Sequence, residues 1–386
     1  MANNNDNKVL NVPPLRFPEF SGEWKMCTIG ELTTKVGSGV TPRGGEAVYK
    51  TEGHPFVRSQ NVGLGNLLLD DIAFIDEETH LRQKNTELQF NDVLLNITGA
   101  SIGRSALVDK QIVGGNVNQH VCIIRTKENL VPSFICSFLL SNYGQRQIDS
   151  FQAGGNRQGL NFEQIKSIKI TIPSKDEQIK IAKLLRAIDE RIATQNKIID
   201  KLQSLIKGLR VCCMQRNGSN NVYLSEIAQI YQPQTISSTE LTEDGFLVYG
   251  ANGIIGKYKD YNHKTEQICI TCRGNTCGMV NYTKPMSWIT GNAMVINTDK
   301  YQDKVYKKYL YHYLSAYNFN SIISGSGQPQ IVRTPLEKLK ITLPTISEQK
   351  QKAMILDKIQ DKIEINHNIL NLYILQKQYL LRQMFI

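Results

Sequence analysis

The stretch Ile168-Lys-Ile-Thr-Ile-Pro173, followed by Ser174-x-x-Glu177-Gln178, decides the fold because it occurs twice. The second copy, 171 residues later, reads Leu339-Lys-Ile-Thr-Leu-Pro344 and then Thr345-x-x-Glu348-Gln349. Each copy combines a short β-branched run, a proline and a capping box, in which Ser or Thr and the Glu three residues later satisfy each other's backbone amides. The pattern predicts, twice, a strand that leads directly into a helix.

An apolar stripe with alternating spacings of four and three residues follows each capping box, as in a coiled coil. The first stripe comprises Ile181, Leu185, Ile188, Ile192, Gln195, Ile199, Leu202, Ile206, Leu209 and Cys213. The second comprises Lys352, Leu356, Ile359, Ile363, Asn366, Leu370, Tyr373, Lys377, Leu380 and Met384. Gln195 and Asn366 occupy the same place in the two stripes, and a polar group at a seam fixes register. We therefore expect two long helices that lie together.

Composition places this duplicated chain among multidomain proteins of a reducing compartment. A length of 386 residues exceeds what one hydrophobic core usually supports. The polar first residues are not a signal peptide, and no run is apolar enough to cross a bilayer. The eight cysteines lack a disulfide framework, which favours the cytoplasm.

The net charge of +10 suggests a nucleic-acid partner without proving one. Half of the excess lies in residues 174–216, with ten Lys and Arg against five Asp and Glu. A solvated helix face explains this excess equally well.

Five segments follow from these patterns. Residues 1–23 form a polar N-terminal tail, 24–173 a first globular block, 174–216 a central helical spacer, 217–344 a second block and 345–386 a C-terminal helical spacer. Each block shows short strands broken by glycine-rich turns, then a helix (residues 132–143 and 301–317) and a last strand. The predicted class is α+β: two duplicated blocks with curved β-sheets, separated by two long helices forming an antiparallel coiled coil.

The blocks share matched turns. Leu94-Leu-Asn-Ile-Thr-Gly-Ala-Ser-Ile-Gly103 aligns with Cys269-Ile-Thr-Cys-Arg-Gly-Asn-Thr-Cys-Gly278, and Gly115-Asn116 aligns with Gly291-Asn292. Under this alignment, residues 269, 272 and 277 correspond to Leu94, Ile97 and Ile102. The cysteines are therefore interpreted as small core residues and not as metal ligands.

The sequence contains no catalytic motif that we recognise. Gly250-Ala-Asn-Gly-Ile-Ile-Gly-Lys257 departs from a phosphate-binding loop and is better explained as a tight turn. His54, His120 and His263 have no repeat-matched partners. Gly-x-Ser-x-Gly, His-Glu-x-x-His and dinucleotide-binding fingerprints are absent from the sequence. We therefore expect a recognition protein and not an enzyme.

Several further motifs give the chain a family resemblance. They are Ile172-Pro-Ser-Lys-Asp-Glu-Gln178, Leu343-Pro-Thr-Ile-Ser-Glu-Gln349, Asp92-Val-Leu-Leu-Asn-Ile-Thr-Gly-Ala-Ser-Ile-Gly103, Pro55-Phe-Val-Arg-Ser-Gln-Asn61 and Tyr249-Gly-Ala-Asn-Gly-Ile-Ile-Gly256. In their order and repetition they resemble the specificity subunit of type I restriction–modification enzymes, from Trp24 onward.

The resemblance implies two target-recognition domains, each reading half of a split site in double-stranded DNA. It also implies helical spacers that dock two methyltransferase subunits, and a separate restriction and translocase subunit. The chain itself would hold no cofactor, while S-adenosylmethionine, ATP and Mg²⁺ would belong to the partner subunits. The acidic residues of the first block would face away from DNA; these are Asp70, Asp71, Asp76, Glu77 and Glu78.

Base reading needs Arg, Asn and Gln on loops, because their side chains present paired donors and acceptors to base edges. The candidate DNA-binding residues are polar or basic residues in the repeated turns: Arg58, Gln60, Asn61, Ser101, Arg104, Asn118, Gln119, Asn156, Arg157, Gln158, Asn252, Arg273, Asn275, Asn292, Gln328, Gln330 and Arg333.

Two alternatives stay open at this point. One is a coiled-coil scaffold whose blocks bind protein, although it does not explain why Arg- and Gln-bearing loops recur in register. The other is a specificity subunit of a type IIB-like enzyme, with fused nuclease and methyltransferase subunits.

Replacing both Gln195 and Asn366 with Leu is expected to raise the melting temperature while loosening helix register. The reason is that taking a polar side chain out of water into an apolar seam costs about 1–3 kcal/mol, whereas Leu gains free energy from the same burial. Thermal unfolding measures the effect, and a double variant that melts well below the parent would count against a buried polar pair.

Overall fold

Two structural units, each with its own hydrophobic core, make up the chain. The computed structural model describes residues 11–152, 159–214, 220–251, 253–325 and 327–386. Unit 1 comprises the residues up to Gln195 together with Ile369–Ile386, and unit 2 comprises Asn196–Asn368. Each long helix therefore contributes one segment to each unit.

The described residues of unit 1 form nine strands in three small sheets. The strands are β1 (Lys25–Thr28), β2 (Thr33–Ser38), β3 (His54–Val57), β4 (Ala73–Ile75), β5 (Val93–Asn96), β6 (Ser105–Leu107), β7 (Asn116–Val117), β8 (Val121–Thr126) and β9 (Lys169–Ile172). The sheet orders are β2-β8-β5-β6, β4-β3-β7 and β1-β9, and every pairing is antiparallel except β3 with β7. The helices are α1 (Glu77–Arg82), α2 (Pro132–Leu140), α3 (Asn142–Ser150), α4 (Phe162–Ser167) and the first part of α5 (Lys175–Met214).

Unit 2 repeats this topology. Its strands are β10 (Asn220–Tyr223), β11 (Gln229–Tyr231), β12 (Phe246–Gly250), β13 (Gly253–Tyr258), β14 (Ile268–Thr271), β15 (Val280–Tyr282), β16 (Trp288–Ile289), β17 (Ala293–Asn297) and β18 (Lys340–Leu343). The sheets β11-β17-β14-β15, β13-β12-β16 and β10-β18 match those of unit 1, and the described part of unit 2 likewise has one parallel pair, β12 with β16. Its helices are the second part of α5, α6 (Lys307–Ser315), α7 (Arg333–Glu337) and most of α8 (Ile346–Gln383). The predicted α+β class with duplicated blocks is confirmed.

The glutamine that ends each repeated motif fixes the start of a long helix. Gln178 accepts a hydrogen bond from the Val131 amide (2.9 Å) and donates to the carbonyls of Asn129 and Pro173. Gln349 does the same in unit 2, accepting from the Tyr306 amide (2.8 Å) and donating to the carbonyls of Lys304 and Pro344. Both side chains are buried. The glutamine therefore holds the long helix against the loop that begins α2 or α6.

The two capping boxes differ, which corrects one expectation. Thr345 and Glu348 form the complete reciprocal pair. Ser174 accepts from the Glu177 amide, but the Glu177 carboxylate accepts two hydrogen bonds from Arg16, both of 2.8 Å. Arg16 thereby packs part of the segment assigned to a polar tail against the beginning of α5.

Two predicted helices are shorter than expected, for local reasons. The helix predicted over residues 132–143 ends at Leu140, because the Ser141 hydroxyl accepts the Gly144 amide and starts α3 instead. The helix predicted over residues 301–317 begins only at Lys307, because the preceding Tyr306 amide donates its hydrogen bond to the Gln349 side chain.

The heptad stripe is the packed face of both long helices within each unit. In unit 1, Leu185 and Ile188 share a core with Leu380 and Met384. In unit 2, Ile206 packs with Leu356 and Ile363. The two helices run antiparallel in unit 1. Asp189 of α5 contacts Lys377 of α8 at 2.6 Å, and Arg191, further along α5, lies over the ring of Tyr373, which comes earlier in α8.

The stripe also contains the polar seam residues. Gln195 is buried and Asn366 is half-buried. Because these residues belong to different units, their expected mutual contact stays a prediction. Among the residues described, no helix has both the length and the apolar character needed to span a membrane.

Gln349→Met, which nearly conserves volume, is expected to lower the free energy of unfolding of unit 2 by about 1–3 kcal/mol, because the variant leaves the Tyr306 amide and two carbonyls unsatisfied. Denaturant unfolding with hydrogen exchange at the Tyr306 amide measures the effect. The exposed neighbour Gln351 supplies the control Gln351→Met, expected to be neutral. Equal stability of the two variants would show that the glutamine does not anchor the helix.

Candidate nucleic-acid interface

The loops that the sequence singled out meet at one end of unit 1. Asn96 at the end of β5 pairs with Val121 at the start of β8, and Ser38 at the end of β2 pairs with Cys122. The parallel strands β3 and β7 pair with each other and end together, at Val57 and Val117. Val117 lies shortly before Val121 in the sequence, so both strands end near the ends of β2 and β5. We call the connections that follow these strand ends the loop end of the unit.

Backbone hydrogen bonds hold the loop end of unit 1 together. The Ile97 amide donates to the His120 carbonyl (3.0 Å), and the Leu160 amide donates to the Ile97 carbonyl (2.9 Å). Thr98 forms an isolated bridge with Gly159, which follows the segment containing Asn156, Arg157 and Gln158. These last three candidates, and Asn252 in the second block, lie outside the described residues.

Unit 2 builds its loop end with the same backbone bonds. The Cys272 amide donates to the Asn292 carbonyl (3.0 Å), and the Ile331 amide donates to the Cys272 carbonyl (3.0 Å). Arg273 bridges to Gln330 as Thr98 does to Gly159. A shallow cavity of about 380 Å³ opens here, lined by Arg273, Gln330 and Arg333 among others.

The structure corrects one alignment of the blocks. Because Ile97 pairs with His120 and Cys272 with Asn292, the residue equivalent to Asn292 is His120 and not Asn116. Asn116 is buried and bonds to His80 and to the Gln83 carbonyl. The two Gly-Asn pairs were therefore matched four residues out of register.

Most of the described candidates are exposed at the loop ends. The exposed ones are Gln60, Arg104, Gln119, Arg273, Asn275, Asn292, Gln328, Gln330 and Arg333, while Ser101 is half-buried. No hydrogen bond or ion pair with another described residue engages the side chains of Arg104 and Arg273. Arg333 pairs with Glu337 at 2.7 Å. Asn118 is buried and caps its own loop by accepting the His120 amide.

Arg58 and Asn61 are packing residues in the structure, and this argues against their prediction as DNA contacts. Asn61 is fully buried and donates to Asp71 and to the Leu68 carbonyl. Arg58 donates to the Asp71 carbonyl at 2.6 Å and lies over the Tyr49 ring. Gln60 also donates to Asp71. Asp71 was expected to face away from DNA, whereas Arg58, Gln60 and Asn61, which all bond to it, were expected to contact DNA. The two expectations are therefore inconsistent with each other.

Sequence reasoning missed the loops after β2 and β11. Gln119 accepts the Thr41 amide (3.1 Å), while at the equivalent place in unit 2 a Cβ on Gly291 would lie 2.4 Å from the Thr235 hydroxyl oxygen. Only a residue without a side chain fits beside Thr235. Threonine carries no strong signal for base reading, so these loops had no mark in the sequence.

Cys269 and Cys272 belong to the core of unit 2. Cys269 packs with Tyr249 and Ile289, whereas Cys272 lies in the other core cluster with Ile270 and Met294. Burial raises the pKa of the Cys269 thiol to about 12. Because Cys269 and Cys272 lie in separate clusters, their thiols do not converge on one site, in keeping with their interpretation as core residues.

Two other sequence features have structural roles. Gly250 pairs with Gly253 where β12 ends and β13 begins, with Gly253 at a φ of 82°, in keeping with the predicted tight turn. The ring of His263 bonds to the Tyr231 hydroxyl at 2.8 Å, and burial lowers the pKa of His263. His54 bonds to Glu77 at 2.6 Å.

Comparison with known proteins identifies the family. The family model described as "Type I restriction modification DNA specificity domain" matches residues 21–204 and 217–372. The putative type I restriction enzyme MjaX specificity subunit of Methanocaldococcus jannaschii is 23% identical over 402 residues, covering 93% of this chain and 92% of that protein. The type I restriction enzyme EcoprrI specificity subunit of Escherichia coli is 32% identical over 140 residues, covering 35% of this chain and 34% of that protein.

A crystal structure of the S subunit of a type I restriction–modification system from M. genitalium has the same fold. Its TM-score is 0.68 at 17% identity, with 97% of this chain and 99% of that chain covered. The chain belongs to the type I restriction modification DNA specificity domain family. The resemblance drawn from the motifs is confirmed, and the relatives argue against the coiled-coil scaffold and for a type I system over a type IIB-like one.

Asn61→Ala is expected to lower the free energy of unfolding by about 1–3 kcal/mol, because it removes the hydrogen bonds that the buried Asn61 amide makes to the Arg58 amide, the Leu68 carbonyl and the Asp71 carboxylate. Denaturant unfolding of the full chain, with hydrogen exchange at Arg58 and Leu68, reports the loss. Asn275→Ala, at an exposed asparagine, is the control and should change stability by less than about 0.5 kcal/mol. A stable Asn61→Ala protein with altered DNA recognition would restore the original assignment.

Proposed function

We propose that this chain is the DNA-recognition subunit of its restriction–modification complex, and that each loop end reads one half of a bipartite site in double-stranded DNA. The observation that carries the proposal is the repetition of one loop architecture, backbone bond for backbone bond, in two units. Exposed Arg and Gln side chains lie on these loops in both units, and exposed Asn side chains lie on them in unit 2. Two readers within one chain allow two different half-sites, whereas a homodimer would impose a palindrome.

Arg104 and Arg273 are the leading candidates for base contacts. Both guanidinium groups are exposed, and an arginine fork matches the O6 and N7 acceptors of guanine in the major groove. Asn275, Asn292, Gln328 and Gln330 supply amides that match adenine. Basic side chains that contact phosphates would contribute to the affinity for DNA but not to the preference for a base sequence.

The helices supply two surfaces for two methyltransferase subunits. In unit 1, Leu372, Leu375 and Tyr379 of α8 are exposed at spacings of three and four residues. In unit 2, Ile198 and Leu205 of α5 lie one heptad apart and are both exposed. Ile365 of α8 is exposed as well. Apolar residues at helical spacing on a solvent face are typical of a helix that packs against a partner helix. A restriction and translocase subunit would join the complex for cleavage.

The chain contributes recognition and no chemistry in this proposal. S-adenosylmethionine, ATP and Mg²⁺ would be bound by the partner subunits, and the complex would act in the cytoplasm. Purified chain alone, incubated with labelled S-adenosylmethionine and DNA, would then transfer no methyl group.

Arg104→Ala is expected to relax recognition in one half-site only, and Arg273→Ala in the other, each by about 1–3 kcal/mol at its own base pair. Methylation by the reconstituted complex on a library of split sites measures both. Arg82→Ala is the matched control, since this exposed arginine follows β4 at the end of unit 1 opposite the loop end. Relaxation of both halves by either variant would rule out one unit per half-site.

A further inference from the structure

An unusual pair of exposed isoleucines follows the tight turn of unit 2. Ile254 is 54% exposed and Ile255 is 44% exposed. Val248 pairs with Gly256 and Tyr249 with Ile254, so Ile255 is an extra residue in β13 that has no partner in the ladder. A β-bulge of this kind bends its strand and redirects side chains, and bulges are frequent beside functional sites.

The turn that carries these isoleucines is attached to the loop end. The hydroxyls of Thr271 and Thr276 both donate to the Ala251 carbonyl, the latter at 3.2 Å. Thr271 and Thr276 flank Arg273 and Asn275, the exposed base-reading candidates. The hairpin tip is therefore part of the same surface.

Met279 adds a third exposed apolar side chain at this place. It is 47% exposed, and its backbone bonds to both Thr271 (2.8 Å) and Thr276 (3.0 Å). A Cβ on Gly253 would lie 3.7 Å from the Asn281 amide oxygen, which puts the hairpin beside the strand that follows Met279. We call Ile254, Ile255 and Met279 the hairpin patch.

Unit 1 has a different chemistry at the corresponding position. The Gly103 amide donates to the Asn96 carbonyl just as the Gly278 amide donates to the Thr271 carbonyl, so Arg104 corresponds to Met279. The connection between β3 and β4 is also long, with no tight hairpin to present two isoleucines. One unit offers a guanidinium where the other offers an apolar surface.

An apolar group on a DNA-reading surface has one specific partner in the major groove. The C5-methyl group of thymine is the apolar feature that distinguishes it among the natural bases there, and aliphatic side chains contact it. Because the patch adjoins Arg273 and Asn275, we propose that it recognises the methyl group of a thymine in the half-site that unit 2 reads. This inference rests on the proposed function and specifies the chemistry of one of its two half-sites.

The test replaces each thymine of the target, one at a time, with deoxyuridine, which removes only the methyl group. The reconstituted complex is assayed for DNA binding and methylation, and Arg273→Ala first identifies which half unit 2 reads. At least one substitution in that half should weaken binding about fourfold, because one buried methyl group is worth about 0.8 kcal/mol and about 1.4 kcal/mol corresponds to tenfold.

Variants connect the effect to the patch. Met279→Ser or Ile254→Thr should remove the difference between thymine and deoxyuridine at that position. Met286→Ser is the matched control: this methionine is also exposed (49%) but precedes β16 at the end of unit 2 away from the loops. The control should retain the thymine preference.

Three outcomes would overturn the inference. One is a unit 2 half-site without a thymine or insensitive to deoxyuridine throughout, while Arg273→Ala still relaxes it; the proposed function then stands alone. Another is a thymine preference that survives the patch variants. The third is patch variants that lose methyltransferase binding instead of base discrimination. If Arg104 and Arg273 variants change neither half, the proposed function itself fails.

Discussion

Two buried glutamine amides, Gln178 and Gln349, fix where the long helices begin. Each helix continues beyond the unit in which it starts, α5 for about half of its length and α8 for a smaller share, so a small change at the first turn would be multiplied along the helix. A glutamine is suited to this place because one amide donates to two carbonyls and accepts a backbone N–H simultaneously. Glutamate lacks the donors, and methionine lacks both functions. The start of α6 at Lys307 and the attachment of α5 to the loop before α2 both follow from these bonds.

The long helices and the strands before them could be predicted because their signals are local. The proline, the Ser or Thr cap and the heptad spacing all lie within a few residues of the structure they determine. The stripe from Ile181 to Ile206 is accordingly buried or half-buried throughout. The duplicated turn at Gly99–Gly103 and Gly274–Gly278 was equally visible, since positive φ values at all four glycines require that residue at these places.

Other features depend on contacts between distant residues, and the sequence carries no mark of them. Nothing near Glu177 indicates that its carboxylate pairs with Arg16 instead of closing a capping box. Asn61 and Arg58 have the residue types of base readers, yet Asp71 and Tyr49 bury or occupy them. The Gly-Asn pairs at 115–116 and 291–292 align by letter but not by hydrogen bond. For a site built from polar loops, residue type can only select candidates. The packing around each candidate decides whether its side chain is available to contact DNA or holds the loop in place.

The loop ends show how one scaffold can read two different sequences. The bonds that assemble them run from backbone to backbone, at Ile97 with His120 and at Cys272 with Asn292. Such bonds leave side chains free to differ without cost to the fold. The matched positions use this freedom: Thr98 stands where unit 2 has Arg273, and Arg104 stands where it has Met279. In unit 2 the arginine of these positions, Arg273, lies just before the two turn glycines, whereas in unit 1 the arginine, Arg104, lies just after them. The two units would therefore present a guanidinium group to different base pairs. Under the proposed function, an asymmetric target would thus follow from different side chains on matched backbone bonds, together with the tight β12–β13 hairpin that unit 1 lacks.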